Sequence, residues 1–460
     1  VLTKHGSRGP EPTRTRLLAL RVLERVQRAG AYADLLLHST LARSGLRATD
    51  RAFATELVYG TLRWRGRLDH ALAHFLDRDL EKLEPLVATA LRLGAYQILF
   101  VERVPSSAAV DESVRCLRAA GAERATGLVN AVLRRVAAEP DQPPLPSLEE
   151  DPVGHLTCAL SLPAWLAERW HDQFGAEEAA ALARACNQVP PLTIRANPHQ
   201  NDRDELLAQL RPRFPEATRC RHARYGLVLG RRGNAAADPA FVEGRFTVQD
   251  EASQLVVGLL DPQPGERALD VCAAPGGKAS AIAERVGKNG SVMALDRNRR
   301  RLELVRRSAR RLQLDRLAFQ VRDATRRLDD LCADGAYDRV LVDAPCSGLG
   351  TLRRNPDARW RVRPPDLARL AETQLAILRN AAATLRPEGV LVYSTCTVLP
   401  EENEEVVEAF LRGSTDFVLA SPLEAPEEVR SLMDPDGFLR CWPHRDDTDG
   451  FFAARIERRS

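Results

Sequence analysis

Leu269-Asp270-Val271-Cys272-Ala273-Ala274-Pro275-Gly276-Gly277-Lys278 places an acid at the end of a compact apolar run, then a glycine turn, then the start of a helical stretch. Gly276 and Gly277 let a ligand approach the backbone closely, and Pro275 fixes the entry to the turn. The stretch is not GxGxxG. Nor is it a Walker A loop, whose first glycine is missing and whose magnesium-holding Ser or Thr is replaced by Ala279. A nicotinamide or triphosphate ligand is disfavoured.

Outward from this loop, apolar runs at 267–272, 291–295, 318–321, 339–342, 390–393 and 451–456 read as strands, with helices near 277–286, 298–312, 366–385 and 401–411. The alternation predicts βαβ units around a largely parallel sheet, with ligands bound beyond the carboxyl ends of its strands. Asp296 ends the second strand, where a carboxylate can accept hydrogen bonds from ribose hydroxyls, and Asp323 follows the third, where it can flank an adenine amino group. With Asp270 they predict an acidic rim. Carboxylates repel phosphates and attract a sulfonium, so the expected ligand is S-adenosylmethionine. The bland alternative for each acid is a helix cap.

The chain has 460 residues, enough for several cores, and its 44% hydrophobic and 28% charged content is that of a globular protein. No stretch approaches the roughly 20 apolar residues that span a bilayer. The opening VLTKHGSRGPEPTRTR lacks the apolar segment of a secretory signal, so a cytoplasmic location is expected. Nine widely spread cysteines without a CxxC pair suggest neither a disulfide framework nor a zinc site. Residues 1–140 carry 22 Lys/Arg against 15 Asp/Glu, a modest hint of nucleic acid in a chain whose net charge is only +3.

Apolar positions three and four apart from Arg14 to about Val136 predict five to seven helices and no strands, with Ser106 or Ser107 capping the helix after Pro105. The Pro-rich, acidic stretch 139–150 reads as a linker, and 162–187 as helix, with Trp165, Leu166, Trp170 and Phe174 spaced to bury one face. A small α/β module follows: a strand at 190–197, a helix over 203–210 and a strand at 225–229. Between 211 and 232 it has seven arginines against Glu216 alone, which is either a solvated face or an RNA contact.

Val342-Asp343-Ala344-Pro345-Cys346-Ser347-Gly348 follows the fourth strand of the alternating region and Tyr393-Ser394-Thr395-Cys396-Thr397 the fifth. These strands are neighbours in a doubly wound sheet, so both cysteines can face one cleft. C5 of a pyrimidine is too weak a nucleophile to take a sulfonium methyl directly. A thiolate added at C6 gives C5 enamine character, and a second group then assists release. Asp343 is placed to hydrogen-bond the cytosine N3/N4 edge and stabilise charge during addition.

With DVCAAPGGK at 270–278, DAPCSGLGTLRRNPDARW at 343–360, YSTCT at 393–397 followed by ENEEVV, and DGFFAARI at 449–456, residues 245–457 resemble the RNA cytosine-C5 methyltransferases of the NOL1/NOP2/Sun family. The resemblance implies a Rossmann-like class I S-adenosylmethionine methyltransferase domain at 245–460. It implies Cys396 as nucleophile, Cys346 as the cysteine assisting release, and Asp343 and Lys278 as further catalytic residues. For the cofactor it implies Cys272, Ala273, Ala274, Pro275, Gly276, Gly277, Lys278, Asp296, Arg301, Asp323 and Asp343, and no metal. DNA cytosine-C5 methyltransferases attack with a Pro-Cys resembling Pro345-Cys346, whereas Thr395-Cys396 is the element that distinguishes the RNA family. Thr397 departs from the more usual serine but keeps a hydroxyl.

The helical stretch at 5–137 resembles the RNA-binding fold of the antitermination factor NusB, notably over Arg51-Ala52-Phe53 to Leu68-Asp69 and Val129-Asn130-Ala131-Val132-Leu133-Arg134. Residues 138–187 would connect it to an RRM-like module at 188–244, without an aromatic RNA-reading signature. This arrangement resembles bacterial small-subunit ribosomal RNA methyltransferases, which implies unassembled 16S rRNA as partner and a cytosine of the 967 class as target. Transfer RNA, or a non-catalytic role in ribosome assembly, are the alternatives, and a monomer is the default. Arg353, Arg354, Arg359, Arg361 and Arg363 are expected on backbone phosphates, with Trp360 either stacking on a base or anchoring its loop. Most arginines of the run from Arg297 to Arg311 are expected to face solvent.

Overall fold

The computed structural model describes residues 12–231, 233–332 and 336–460. The first residues of the helical domain as read from sequence, most of the opening segment read for a secretory signal, and Arg232 lie outside them. The chain forms two compact units: one of residues up to Asn187 together with Asn355–Arg361, the other of Gln188–Arg354 and Val362–Ser460.

The first unit is helical. Its opening helices are α1 (Arg14–Ala29), α2 (Ala33–Ala42), α3 (Ala48–Arg63), α4 (Arg65–Phe75), α5 (Pro85–Phe100), α6 (Ser106–Ala119) and α7 (Thr126–Ala138). The three-and-four spacing converges on one core that includes Leu20, Leu57, Leu68, Leu72, Leu91, Leu117 and Leu133. Arg92, buried on α5, forks onto Asp69 of α4 at 2.6 and 2.9 Å, a bidentate pair that fixes how the two helices meet. Neither serine caps α6, which begins at Ser106 with Pro105 before it. The helix Ala164–Cys186 is interrupted at Gly175; Leu166 and Trp170 are buried, while Trp165 and Phe174 are only half-buried.

Segment 355–361 gives a correction. Arg359 is 0% exposed, and its Nη1 donates to the Ser161 carbonyl at 3.0 Å and Asn187 Oδ1 at 2.9 Å. The Trp360 indole N–H donates to the Leu62 carbonyl at 2.7 Å, and the Arg65 guanidinium lies 5.0 Å from its ring. Arg361 pairs with Asp357 at 2.5 Å and lies over Tyr32. These side chains are spent on folding the first unit, so they are not the phosphate contacts expected from sequence, and Trp360 is an anchor.

The second unit begins with β1 (Thr193–Ala196), helix Arg203–Leu210, β2 (Thr218–Arg219), β3 (Gly226–Val228), helix Pro239–Val242 and β4 (Phe246–Val248). The sheet order is β2-β3-β1-β4, all antiparallel, which is the ferredoxin-like βαββαβ topology. β2 and helix 239–242 are too short for periodicity to reveal. The sequence reading closes this module at 244, whereas β4 continues its sheet to Val248. Of the described arginines between 211 and 232, Arg213 pairs with Asp238 at 2.5 Å, Arg219 with Asp204 at 2.6 Å and Arg231 with Asp447 at 3.2 Å.

The larger sheet comprises β5 (Arg267–Asp270), β6 (Ser291–Asp296), β7 (Leu317–Val321), β8 (Tyr337–Asp343), β9 (Leu385–Thr395), β10 (Phe417–Leu419), β11 (Phe438–Cys441) and β12 (Phe451–Arg458). Its order is β10-β12-β9-β8-β5-β6-β7, with β11 paired to β12. β9-β8-β5-β6-β7 is parallel, and β12 adds antiparallel to β9. Ala268, Leu269, Val340, Leu341, Val342, Leu391, Val392 and Tyr393 are all 0% exposed, because helices cover both faces. This is why these strands read as unbroken apolar runs. The strand order reverses between β5 and β8, and ligands of doubly wound sheets bind at that switch point. No helix among the described residues is long and apolar enough to cross a membrane.

Candidate active site

The loop after β5 is shaped by what it must avoid. Gly276 has φ 113°, a backbone angle that favours glycine, and a Cβ there would crowd the Val305 Cα at 3.1 Å. Arg301 Nη2 donates to the Ala274 carbonyl at 2.9 Å and braces the loop from one side. From the ferredoxin-like module, Arg195 donates to the Gly277 carbonyl at 2.7 Å and to Glu284 at 2.8 and 3.1 Å. Sequence reasoning missed Arg195, since nothing in β1 marks one residue as reaching another domain's helix.

The three acids do not form an even rim. Asp296 is 7% exposed and accepts from the Asn298 N–H at 2.7 Å. Asp323 accepts from the Thr325 hydroxyl at 2.7 Å and N–H at 3.0 Å, which holds its carboxyl below the usual range. Asp270 is 0% exposed, beneath the loop, with Oδ1 taking the Cys272 N–H at 3.2 Å and Oδ2 lacking any hydrogen-bond partner. Burial, and then the nearby charge of Asp343, push its carboxyl up to about 7. An unpartnered buried carboxylate oxygen among further acids fits a cationic ligand and opposes a phosphate.

A stability consequence follows. The folded pKa of Asp270 lies about three pH units above its ordinary value of 3.8, so between these limits the native state holds a proton that the unfolded chain releases. Stability from this group is therefore lost as pH rises from about 4 to about 7, on the order of 4 kcal/mol in all. Asp270→Asn removes the penalty. Urea unfolding of the cofactor-free protein should show the variant more stable than wild type at pH 8, with a much smaller gain at pH 5. An equal gain at both pH values would show that the carboxyl ionises normally.

β8 and β9 carry the two cysteine loops side by side. Cys346 Sγ and Cys396 Sγ are 3.3 Å apart, and the Cys396 N–H donates to Cys346 Sγ, also at 3.3 Å. Both residues are half-buried rather than core. The hydrogen bond with Cys396, burial and the nearby charges of Cys396 and Glu402 raise the Cys346 thiol well above the usual range. Asp343, at the end of β8, accepts from Lys278 Nζ at 2.9 Å and the Ser394 hydroxyl at 3.0 Å. The Lys278 ammonium also lies 4.8 Å from the centroid of the Phe451 ring. Glycine loop, acid–lysine pair and two sulfurs thus occupy neighbouring strand ends.

The loop after Cys346 is held by a network that the sequence did not reveal. Gly350 donates its N–H to the Cys396 carbonyl at 2.9 Å and accepts from the Gly450 N–H at 2.8 Å; a Cβ on Gly350 would lie 2.0 Å from the Gly450 carbonyl oxygen. Arg353, 1% exposed, donates to Asp447 Oδ1 at 2.7 Å. Arg354 bridges Asp449 at 2.6 Å and Asp250 at 2.7 Å. Both are therefore struts rather than the phosphate ligands expected from sequence, and their acids lie about a hundred residues away in the chain. Arg363 stands at the start of helix Pro364–Ala382.

Comparison with known proteins agrees with this layout. Residues 257–457 match the model of the 16S rRNA methyltransferase RsmB/F family, residues 13–138 the NusB family, and residues 162–236 the ferredoxin-like domain of RsmF/B-like methyltransferases. The probable ribosomal RNA small subunit methyltransferase B of Bacillus subtilis (strain 168) is 39% identical over 97% of this chain and 99% of its own length. The ribosomal RNA small subunit methyltransferase B of Pseudomonas putida is 35% identical over 96% of this chain and 98% of its own. Among solved structures, that of the protein PH0851 superposes with a TM-score of 0.80 at 26% identity, covering 98% of this chain and 100% of that one. An all-α NusB-like domain, a ferredoxin-like module and a Rossmann-like catalytic domain, in one chain aligned nearly end to end with such relatives, place it in the ribosomal RNA small subunit methyltransferase B family of S-adenosylmethionine-dependent enzymes.

Proposed function

We propose that the chain methylates C5 of one cytosine in unassembled 16S rRNA, of the 967 class, through a covalent bond between Cys396 and C6 of the base. The observation that carries this reading is the 3.3 Å pair of sulfurs on adjoining strand ends, beside the Asp343–Lys278 pair. S-adenosylmethionine supplies an electrophilic methyl group, and Asp270, Asp296, Asp323 and the Cys272–Lys278 loop, braced by Arg301, would hold it. The Cys396 thiolate forms a bond to C6, and the electron density this places on C5 makes that carbon nucleophilic. Asp343, oriented by Lys278 and Ser394, hydrogen-bonds the N3/N4 edge and stabilises charge developing on the ring. After C5 is methylated it loses its proton to a base, C5=C6 re-forms, and the bond from C6 to Cys396 breaks. Cys346, whose sulfur lies 3.3 Å from that of Cys396, assists this departure.

The NusB-like domain supports RNA as substrate, as do the names of the relatives. The target base has to be unpaired or flipped, since a stacked duplex hides C5 and C6 from a protein sulfur. The ferredoxin-like module is RRM-like in its strand order, but β1 and β3 contain no aromatic residue for base stacking. Its visible work is the support that Arg195 gives the cofactor helix. The test is methyl transfer from labelled S-adenosylmethionine to unassembled 16S rRNA and to transfer RNA, with 5-methylcytosine mapped in both after loss of the protein. Disappearance of one 16S site is expected. Loss confined to transfer RNA would overturn the substrate, and no transfer to either RNA would favour a non-catalytic assembly role.

A further inference from the structure

Glu402 and Gln374 are both 0% exposed, a carboxyl and an amide enclosed behind the two cysteine loops. Burial of two such polar groups is costly unless they are hydrogen-bonded. Gln374 Nε2 donates to the Pro345 carbonyl at 3.0 Å and to Glu402 Oε2, also at 3.0 Å. The same Glu402 oxygen accepts the Ser347 N–H at 2.8 Å. The peptide groups on both sides of Cys346 are therefore tied to one Gln–Glu pair. From Ser347 the network crosses to the other loop, its hydroxyl donating to Thr397 Oγ1 at 2.9 Å. Asn403 continues it, accepting from the Thr395 hydroxyl at 2.5 Å and donating to the Thr397 carbonyl at 3.2 Å. Each cysteine is thus bracketed by neighbours whose polar groups belong to one buried network.

We infer that Glu402 and Gln374 are positioning residues for product release, holding Cys346 so that its sulfur stays within reach of Cys396 as the covalent bond to RNA breaks. The inference rests on the covalent mechanism proposed above. In the release step C5 gives up its proton to a water molecule acting as base, the electrons of that C–H bond re-form C5=C6, and those of the C6–S bond leave on Cys396 as a thiolate. The Cys346 S–H donates a hydrogen bond to the departing sulfur and lowers the cost of breaking that bond. This works only over a short sulfur–sulfur distance, which neither sulfur can set for itself. Attack and methylation precede release and do not need this contact, so disturbing the network should trap the reaction after methylation.

The experiment compares Glu402→Leu, Glu402→Gln and Cys346→Ala in the full chain, with the RNA that the wild type methylates. Leucine fills the site but accepts no hydrogen bond, whereas glutamine keeps an oxygen for both donors. Glu402→Leu should lower multiple turnover at least tenfold, keep the first round of methylation within about twofold, and accumulate a slow-migrating RNA–protein species on denaturing gels. Glu402→Gln should restore turnover. Thermal unfolding and S-adenosylmethionine binding are measured in parallel, and if Glu402→Leu fails to fold, Gln374→Ala replaces it with the same expectations. Should Cys346→Ala trap RNA while the folded network variant turns over normally and traps none, the positioning role is overturned and the covalent reading stands. Should Cys346→Ala trap nothing and keep full turnover, Cys346 has no part in release and the inference falls with it. Loss in Glu402→Gln equal to that in Glu402→Leu would also overturn the hydrogen-bond argument.

Discussion

Cys396→Ala is expected to lower methyl transfer to RNA by on the order of 10⁴-fold or more, while S-adenosylmethionine binding stays within about twofold. The alanine removes the atom that would bond to C6, and without that bond C5 of cytosine lacks the electron density to displace a methyl from sulfur. Cofactor affinity should be spared, because the loop after β5 is braced by Arg301 and Arg195 and not by Cys396. Folding should be spared as well, since Cys396 is half-buried and both loop bonds of its backbone, from Gly350 N–H to its carbonyl and from its N–H toward Cys346, leave from peptide atoms. Single-turnover methylation with labelled cofactor, alongside calorimetric binding, checks both halves. Methylation near the wild-type rate would remove Cys396 from the nucleophile's role and return it to Cys346, the sulfur that resembles the attacking cysteine of the DNA enzymes.

How far the sequence can be read depends on how local each cause is. β5, β8 and β9 were legible because strands buried on both faces need unbroken apolar runs, and the chemistry-bearing residues follow those runs directly. Asp270, Asp343, Cys346 and Cys396 could therefore be assigned to strand ends without knowledge of any distant contact. The arginines of DAPCSGLGTLRRNPDARW could not be read in this way. Their positive charge near Cys346 suggested phosphates, yet the partners of Arg353 and Arg354 come from Asp447, Asp449 and Asp250, and Arg359 is consumed by carbonyls of the first unit. A guanidinium gives no sequence signal for which acid folds back upon it. The same holds for Glu402, quoted within the ENEEVV stretch as a family mark but with no visible task until Gln374 and Ser347 converge on it. β2 and β4 were missed for a different reason, since two or three residues carry too little alternation to register.

The second large effect concerns Cys346→Ala, for which a covalent RNA–protein species should accumulate and multiple turnover should fall by roughly 10²-fold or more. In the proposed mechanism, attack at C6 and methylation of C5 depend on Cys396, Asp343 and the bound cofactor, all of which remain. What disappears is the thiol 3.3 Å from Cys396 Sγ. A thiol at this distance can donate a hydrogen bond to the departing thiolate, which suits Cys346 to release. The first turnover should then proceed while the second stalls, giving a burst of methylation equal to the enzyme concentration. Denaturing gels should show a shifted band that carries both RNA and labelled methyl. The methyl label is the deciding feature: a trapped species without it would mean that Cys346 acts before methylation, and absence of any trapped species with turnover unchanged would exclude Cys346 from the reaction.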